Sequence, residues 1–194
     1  MTDRDTILKT IRASLRTGLL PSAADTVPPR PEPVELSGDP VESFRRNLEA
    51  VRGRVHGPLS SAEAVERVAS LLIEAGAGEV LAWPLEDVGL PGLAERLRSM
   101  DLTLVDSILP DDVQARAAAL QHLAQVPVGL TGALAGLADT GSLVLIHGAG
   151  RPRFASLLPP AHVAVLFVDR MYAGLPTYLS QGPGSLTDTS NVVI

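Results

Sequence analysis

Glu79-Val-Leu-Ala-Trp83 and Leu102-Thr-Leu-Val105 are two short apolar runs, and Leu90–Met100 between them carries helical spacing. Apolar runs of four or five residues bounded by turn formers read as strands, and spacings of three and four read as helix. The alternation continues downstream. Pro110 can open a helix whose apolar positions include Val113, Ala117, Leu120 and Leu123. Val126–Thr131, Ser142–Ile146 and His162–Val168 read as strands, Tyr172–Leu179 as a helix or turn, and Asn191–Ile194 as a last strand. Strand–helix–strand repetition implies parallel neighbours, because parallel strands need crossovers. The expected fold class is α/β.

Upstream, residues 41–55 form a predicted helix with Phe44, Leu48, Val51 and Val55 on one side. Ser60 followed by Glu63 is a capping box opening a helix that runs to Ala75 and stops at Gly76. Ile7, Leu8, Ile11 and Leu15 give a helix over residues 3–17 one apolar face. A short helix cannot bury such a face alone, so it is expected to dock on the domain or on a partner. Pro21, Pro28, Pro29, Pro31, Pro33 and Pro40 mark an extended tether. The domain reading is 1–40 as N-terminal helix and proline-rich linker, and 41–194 as the α/β domain.

Composition narrows the chemistry. The 194 residues carry a net charge of -6, so nucleic acid, which needs a basic face, is not an expected partner. The chain has no cysteine. A disulfide framework, thiol catalysis and an iron–sulfur cluster held in the usual way by this chain are thereby excluded. The only lysine, Lys9, lies in the polar N-terminal helix, which disfavours Schiff-base chemistry and a Walker P-loop. No apolar stretch is long enough to span a membrane, and the charged opening residues do not form a signal peptide, so a cytoplasmic location is expected.

The 69 residues after Gln125 carry only Arg151, Arg153, Arg170, Asp139, Asp169 and Asp188 as charges. So charge-poor a stretch reads as the buried centre of the sheet with its loops. Ligands of open α/β sheets bind beyond the carboxyl ends of the strands, which directs attention to its few polar residues. Asp139-Thr-Gly-Ser142 invites an aspartic-protease reading, but those proteins are almost all-β and this chain is helix-rich. As a tight turn, Asp139 would bond its own backbone two residues on and Gly141 would take positive φ. In His147-Gly-Ala-Gly-Arg-Pro-Arg153, glycine N–H groups and paired arginines could grip a phosphate or carboxylate; solvated arginines on a turn are the alternative. His147 and His162 have no carboxylate at ligand spacing, so no metal site is expected.

Three strings, Gly129-Leu-Thr-Gly-Ala-Leu-Ala-Gly-Leu-Ala-Asp-Thr-Gly-Ser142, Ser156-Leu-Leu-Pro-Pro-Ala-His162 and Ser190-Asn-Val-Val-Ile194, resemble the lactate-utilisation domain, the LutC/YkgG family, over roughly residues 40 to 194. The resemblance implies a parallel or mixed, three-layer-like sheet of the sugar-phosphate isomerase and coenzyme A transferase type, with an N-terminal helical extension. It also implies a role in oxidising L-lactate to pyruvate beside iron–sulfur subunits. In that family the last strand runs into a Gly-Pro-Ser-x-Thr-x-Asp segment, so the protein is expected to continue past Ile194.

The chain has no convincing dinucleotide fingerprint and is not expected to carry out the redox step alone; its cofactor is left open. Two classes stand. In one it is a catalytic or substrate-binding subunit, with Asp139, Thr140 and Ser142 as catalytic candidates. Thr131, Gly132, Gly141, Arg153 and His162 are then the candidates for holding a small carboxylate or phosphate, and Asp139 and Arg153 are expected to approach one cleft. In the other it is a non-catalytic assembly subunit. A small-molecule enzyme of the same fold unrelated to lactate is a further alternative.

Overall fold

The computed structural model describes residues 3–17, 32, 36–105, 109–148, 150–181 and 191–193. They fall into two units, residues 1–31 and 32–194. Most of the proline-rich tether, and Ile194, lie outside the described residues. In the first unit, α1 (Asp3–Thr17) starts with Asp3 and Asp5 in its first turn, where acidic groups favour the helix dipole. Ile7, Leu8 and Ile11 on it are exposed. No helix among the described residues is long and apolar enough to cross a membrane.

The second unit is α/β. Strands β1 (Glu79–Ala82), β2 (Thr103–Val105), β3 (Val128–Gly132) and β6 (Ala161–Val165) make a wholly parallel sheet in the order β2-β1-β3-β6. Its connections pass through α4 (Leu85–Val88), α5 (Leu93–Arg98), α6 (Val113–Leu123) and α7 (Phe154–Leu157). A second, mixed sheet has the order β7-β4-β5-β8, from β4 (Ala135–Leu137), β5 (Ser142–His147), β7 (Met171–Tyr172) and β8 (Asn191–Val193). Every residue of β3 is buried, as its unbroken apolar and small-residue sequence requires of a central parallel strand. The main core gathers Leu72 from α3 (Ser61–Glu74), Leu93 and Leu97 from α5, Val80 and Leu81, Leu130, and Leu145 of β5. Val144, on the opposite side of β5, enters a smaller cluster with Ala135, Leu137 and Tyr178 of α8 (Leu175–Gln181). The period of two along a strand thus lets β5 serve both cores.

Several elements differ from their predicted bounds, each for a local reason. The capping box forms: Ser60 Oγ accepts from the Glu63 N–H and Glu63 accepts from the Ser60 N–H, 2.8 Å away. The helix predicted over 41–55 is α2 (Pro40–Ala50) and stops early. Arg52 turns left-handed (φ 69°), and the Arg52 and Gly53 N–H groups close back on Glu49 and Leu48, the bonds of a Schellman ending. The helix predicted over Leu90–Met100 begins only at Leu93, because Gly92 takes φ 84°. Asp112, not Pro110, caps α6, accepting from the Ala115 N–H at 2.8 Å. Of the apolar positions predicted for that helix, Val113 and Ala117 are exposed and only Leu123 is buried. Strand β4 was not predicted.

Candidate functional site

The parallel sheet presents one face toward α7. Parallel register sets Leu81 beside Gly129 and Gly129 beside His162. Gly129 is required there: a Cβ at this position would run into the carbonyl of Ala155, so only glycine lets α7 seat on β3. Two residues farther along β3, on the same face, Thr131 is fully buried. Its Oγ1 lies 2.9 Å from His162 Nε2. Trp83, just past the carboxyl end of β1, donates from Nε1 to the Pro152 carbonyl at 3.1 Å. Its ring meets His147 edge-on, with centroids 5.6 Å apart.

His147 closes β5 and is 2% exposed. Its Nε2 lies 3.4 Å from Ser156 Oγ, and that hydroxyl donates to the Arg153 carbonyl at 3.2 Å. Since the hydroxyl hydrogen is committed, the imidazole nitrogen acts as donor to Ser156. Burial, and then the charges of Arg153 and Arg151, hold His147 below the ordinary histidine value. His162, half-buried, is pushed down to about 4 by burial and then by His147. Both imidazoles are therefore neutral at pH 7. Together they make a corner of β3, β6, the end of β5 and α7, next to Trp83, with two arginines alongside.

The predicted site residues divide between two places. Thr131 and His162 belong to this corner, and exposed Arg153 sits at the start of α7 beside it. Gly132 has a packing duty: a Cβ there would meet Val88 Cα at 3.1 Å, so it admits α4. Asp139, Thr140, Gly141 and Ser142 form the β4–β5 turn. The expected common cleft for Asp139 and Arg153 does not form. Strands β4 and β5 are an antiparallel hairpin, so the turn and Arg153 lie at opposite ends of β5, with roughly 17 Å of strand between.

Asn47 of α2 holds the turn, donating to the Ala138 and Asp139 carbonyls at 2.8 and 3.0 Å. Gly141 takes φ 70°, and a Cβ on it would lie 2.8 Å from Leu48 Cα. The Gly141 N–H closes the turn by donating to the Leu137 carbonyl, instead of to the Asp139 side chain as expected. Thr140 Oγ1 lies 3.3 Å from Asp139 Oδ1 and 2.9 Å from Ser142 Oγ. The Asp139 carboxylate lies against Gly174. Sequence reasoning gave His147, Ser156 and Trp83 no functional part. The one available signal was that His147 ends an apolar strand in the charge-poor third. Among the described residues, no group of three or more His, Cys, Asp or Glu is placed to hold a metal.

No curated protein matches the sequence. Among solved structures, the crystal structure of a DUF162 family protein from Deinococcus radiodurans is similar, at 20% identity over 70% of this chain and 88% of that one, with a TM-score of 0.39. A family model, the LUD domain, matches residues 41–181, which takes in the hairpin turn, the histidine corner and most of both sheets, and the chain belongs to the LUD-domain family.

Proposed function

We propose that this chain is a LutC-type component of a cytoplasmic L-lactate utilisation system, supporting oxidation of L-lactate to pyruvate together with iron–sulfur subunits. The observation that carries the reading is the LUD-domain match over residues 41–181, a family associated with lactate utilisation. In this reading electron transfer through iron–sulfur clusters falls to the partner subunits, in keeping with a sequence that has no cysteine to ligate one. In this reading the chain contributes a substrate-holding site rather than the electron path. The polar corner at the carboxyl half of the parallel sheet, where ligands of such sheets bind, supports that division of labour. The Asp139 turn, clamped by Asn47 and Leu48, serves the fold. The assembly-subunit reading draws on different residues, the exposed Ile7 and Ile11 of α1 and Leu104 of edge strand β2.

The test is reconstitution. The iron–sulfur subunits are purified with and without this chain, and lactate-dependent reduction of an artificial acceptor is measured. Loss of activity without the chain supports the reading, and full activity without it removes the chain from the pathway. Restoration by a variant lacking residues 1–31 separates the substrate-holding role from an assembly role that uses α1.

A further inference from the structure

We propose that α1 is a self-association element: two copies of the chain pair through antiparallel α1 helices, the Ile7, Leu8 and Ile11 face of one covering that of the other. This pairing holds whether or not the chain acts on lactate.

Residues 3–14 of α1 are all exposed, Ile7, Leu8 and Ile11 among them. A helix of 15 residues is near the lower limit of what stands alone in water, and most helices gain their stability by packing an apolar face, so this face needs a cover. The opposite face asks for nothing. Thr6, Thr10 and Ala13 lie there, and Thr10 Oγ1 donates to the Thr6 carbonyl at 3.0 Å. Leu8 and Ile11 are three residues apart, and Leu15 follows four later in the sequence, which is the alternating spacing of a helix–helix seam.

Charge selects the occupant. α1 carries both signs and sorts them along its length, with Asp3 and Asp5 in the first turn and Lys9 and Arg12 beyond it. With Leu8 and Ile11 on the seam, Asp5 and Arg12, seven residues apart, border it on the same side. A twofold axis between residues 9 and 10 sets Leu8 of one copy level with Ile11 of the other, and turns each border toward the same border of the other copy. Asp5 of one copy then lies about two residues, or about 3 Å along the axis, from Arg12 of the other, twice per pair. Parallel pairing would instead turn Asp5 toward the border of Ile7 and Ser14, which carries no cation. An anionic lipid surface fits less well. α1 has no aromatic residue to seat among headgroups, its first turn is acidic, and the whole chain carries a net charge of -6.

The experiment is sedimentation equilibrium of the full chain at low salt, over a concentration range reaching about 500 μM. A monomer–dimer equilibrium with a dissociation constant of about 100 μM or below is expected, and it weakens as salt screens the Asp5–Arg12 pairs. Ile11→Gln, at an exposed position and with a good helix former, is expected to weaken association about tenfold or more. Asp5→Lys and Arg12→Glu are each expected to associate about tenfold more weakly than the parent. An equimolar mixture of those two variants is expected to regain association, because each supplies the sign that the other lacks. The urea midpoint of each variant is measured alongside, and a value equal to the parent's separates lost pairing from lost fold. The proposal is overturned if the full chain is monomeric at about 500 μM, if Ile11→Gln associates as the parent does, or if the mixture associates no better than its components. A monomeric chain that instead gathers on vesicles of phosphatidylserine and phosphatidylcholine also overturns it and assigns α1 to a lipid surface.

Discussion

Acid is expected to unfold this protein partly through one imidazole. His162 titrates at about 4 in the folded chain, against an ordinary value of 6.5. The unfolded state therefore binds the proton first as pH falls. The full stabilisation is present above pH 6.5, is lost as pH drops from 6.5 toward 4, and below 4 the loss levels off. A gap of this size corresponds to about 3 kcal/mol in total, of which about 1.4 kcal/mol is gone by pH 5.5. That is a large share of the 5–15 kcal/mol typical of a domain. The assay is urea unfolding of the parent and of His162→Gln at pH 7.5, 5.5 and 4.5. Glutamine keeps an amide that can bond Thr131 but does not titrate, and the carboxylates common to both proteins cancel in the comparison. The parent is expected to lose about 1 kcal/mol more than the variant between pH 7.5 and 5.5, and about 2–3 kcal/mol more by pH 4.5. Parallel stability curves for the two proteins would refute the claim that His162 is buried in its neutral form.

Three other substitutions probe the frame around the corner. Gly141→Ala combines a left-handed backbone with a clash against α2 and is expected to cost about 2–5 kcal/mol, read as a lower urea midpoint. Ser60→Ala removes the Oγ that caps α3 and is expected to cost about 1 kcal/mol in the same assay. Asp139→Asn is expected to melt like the parent and to support full lactate oxidation in the reconstituted system, because asparagine serves a turn as well as aspartate; a hundredfold loss of activity with normal melting would return Asp139 to the catalytic candidates.

Local features were the most legible in the sequence. The Ser60–Glu63 box, the positive φ of Gly141 and the buried run of β3 each depend on residues close together in the chain, and each is present in the structure. The parallel sheet followed from strand–helix alternation for the same reason. Strand β4 was missed because Ala135-Gly-Leu137 has only three residues, too few to show a period, and its pairing with β5 is what separates Asp139 from Arg153. The break before α5 depends on which of Pro91 and Gly92 governs the helix start, and spacing cannot decide that. The corner itself was only half legible. Thr131, Arg153 and His162 stood out as polar residues in an apolar third, but the contacts of His147 with Trp83 and Ser156 come from register and strand order, which periodicity does not encode.

The clamp on the hairpin turn also bears on the order of events during synthesis. Asn47 and Leu48 leave the ribosome about ninety residues before the turn they grip. At about 5–20 residues per second, α2 waits roughly 5–20 s without that partner. Throughout the wait Phe44, 4% exposed in the finished protein and packed near Gly136, has nothing of the hairpin to cover it. Closure of the β4–β5 hairpin is thus the step that retires a sticky aromatic surface on the nascent chain, and a lesion in the turn lengthens the interval in which a chaperone must shield α2.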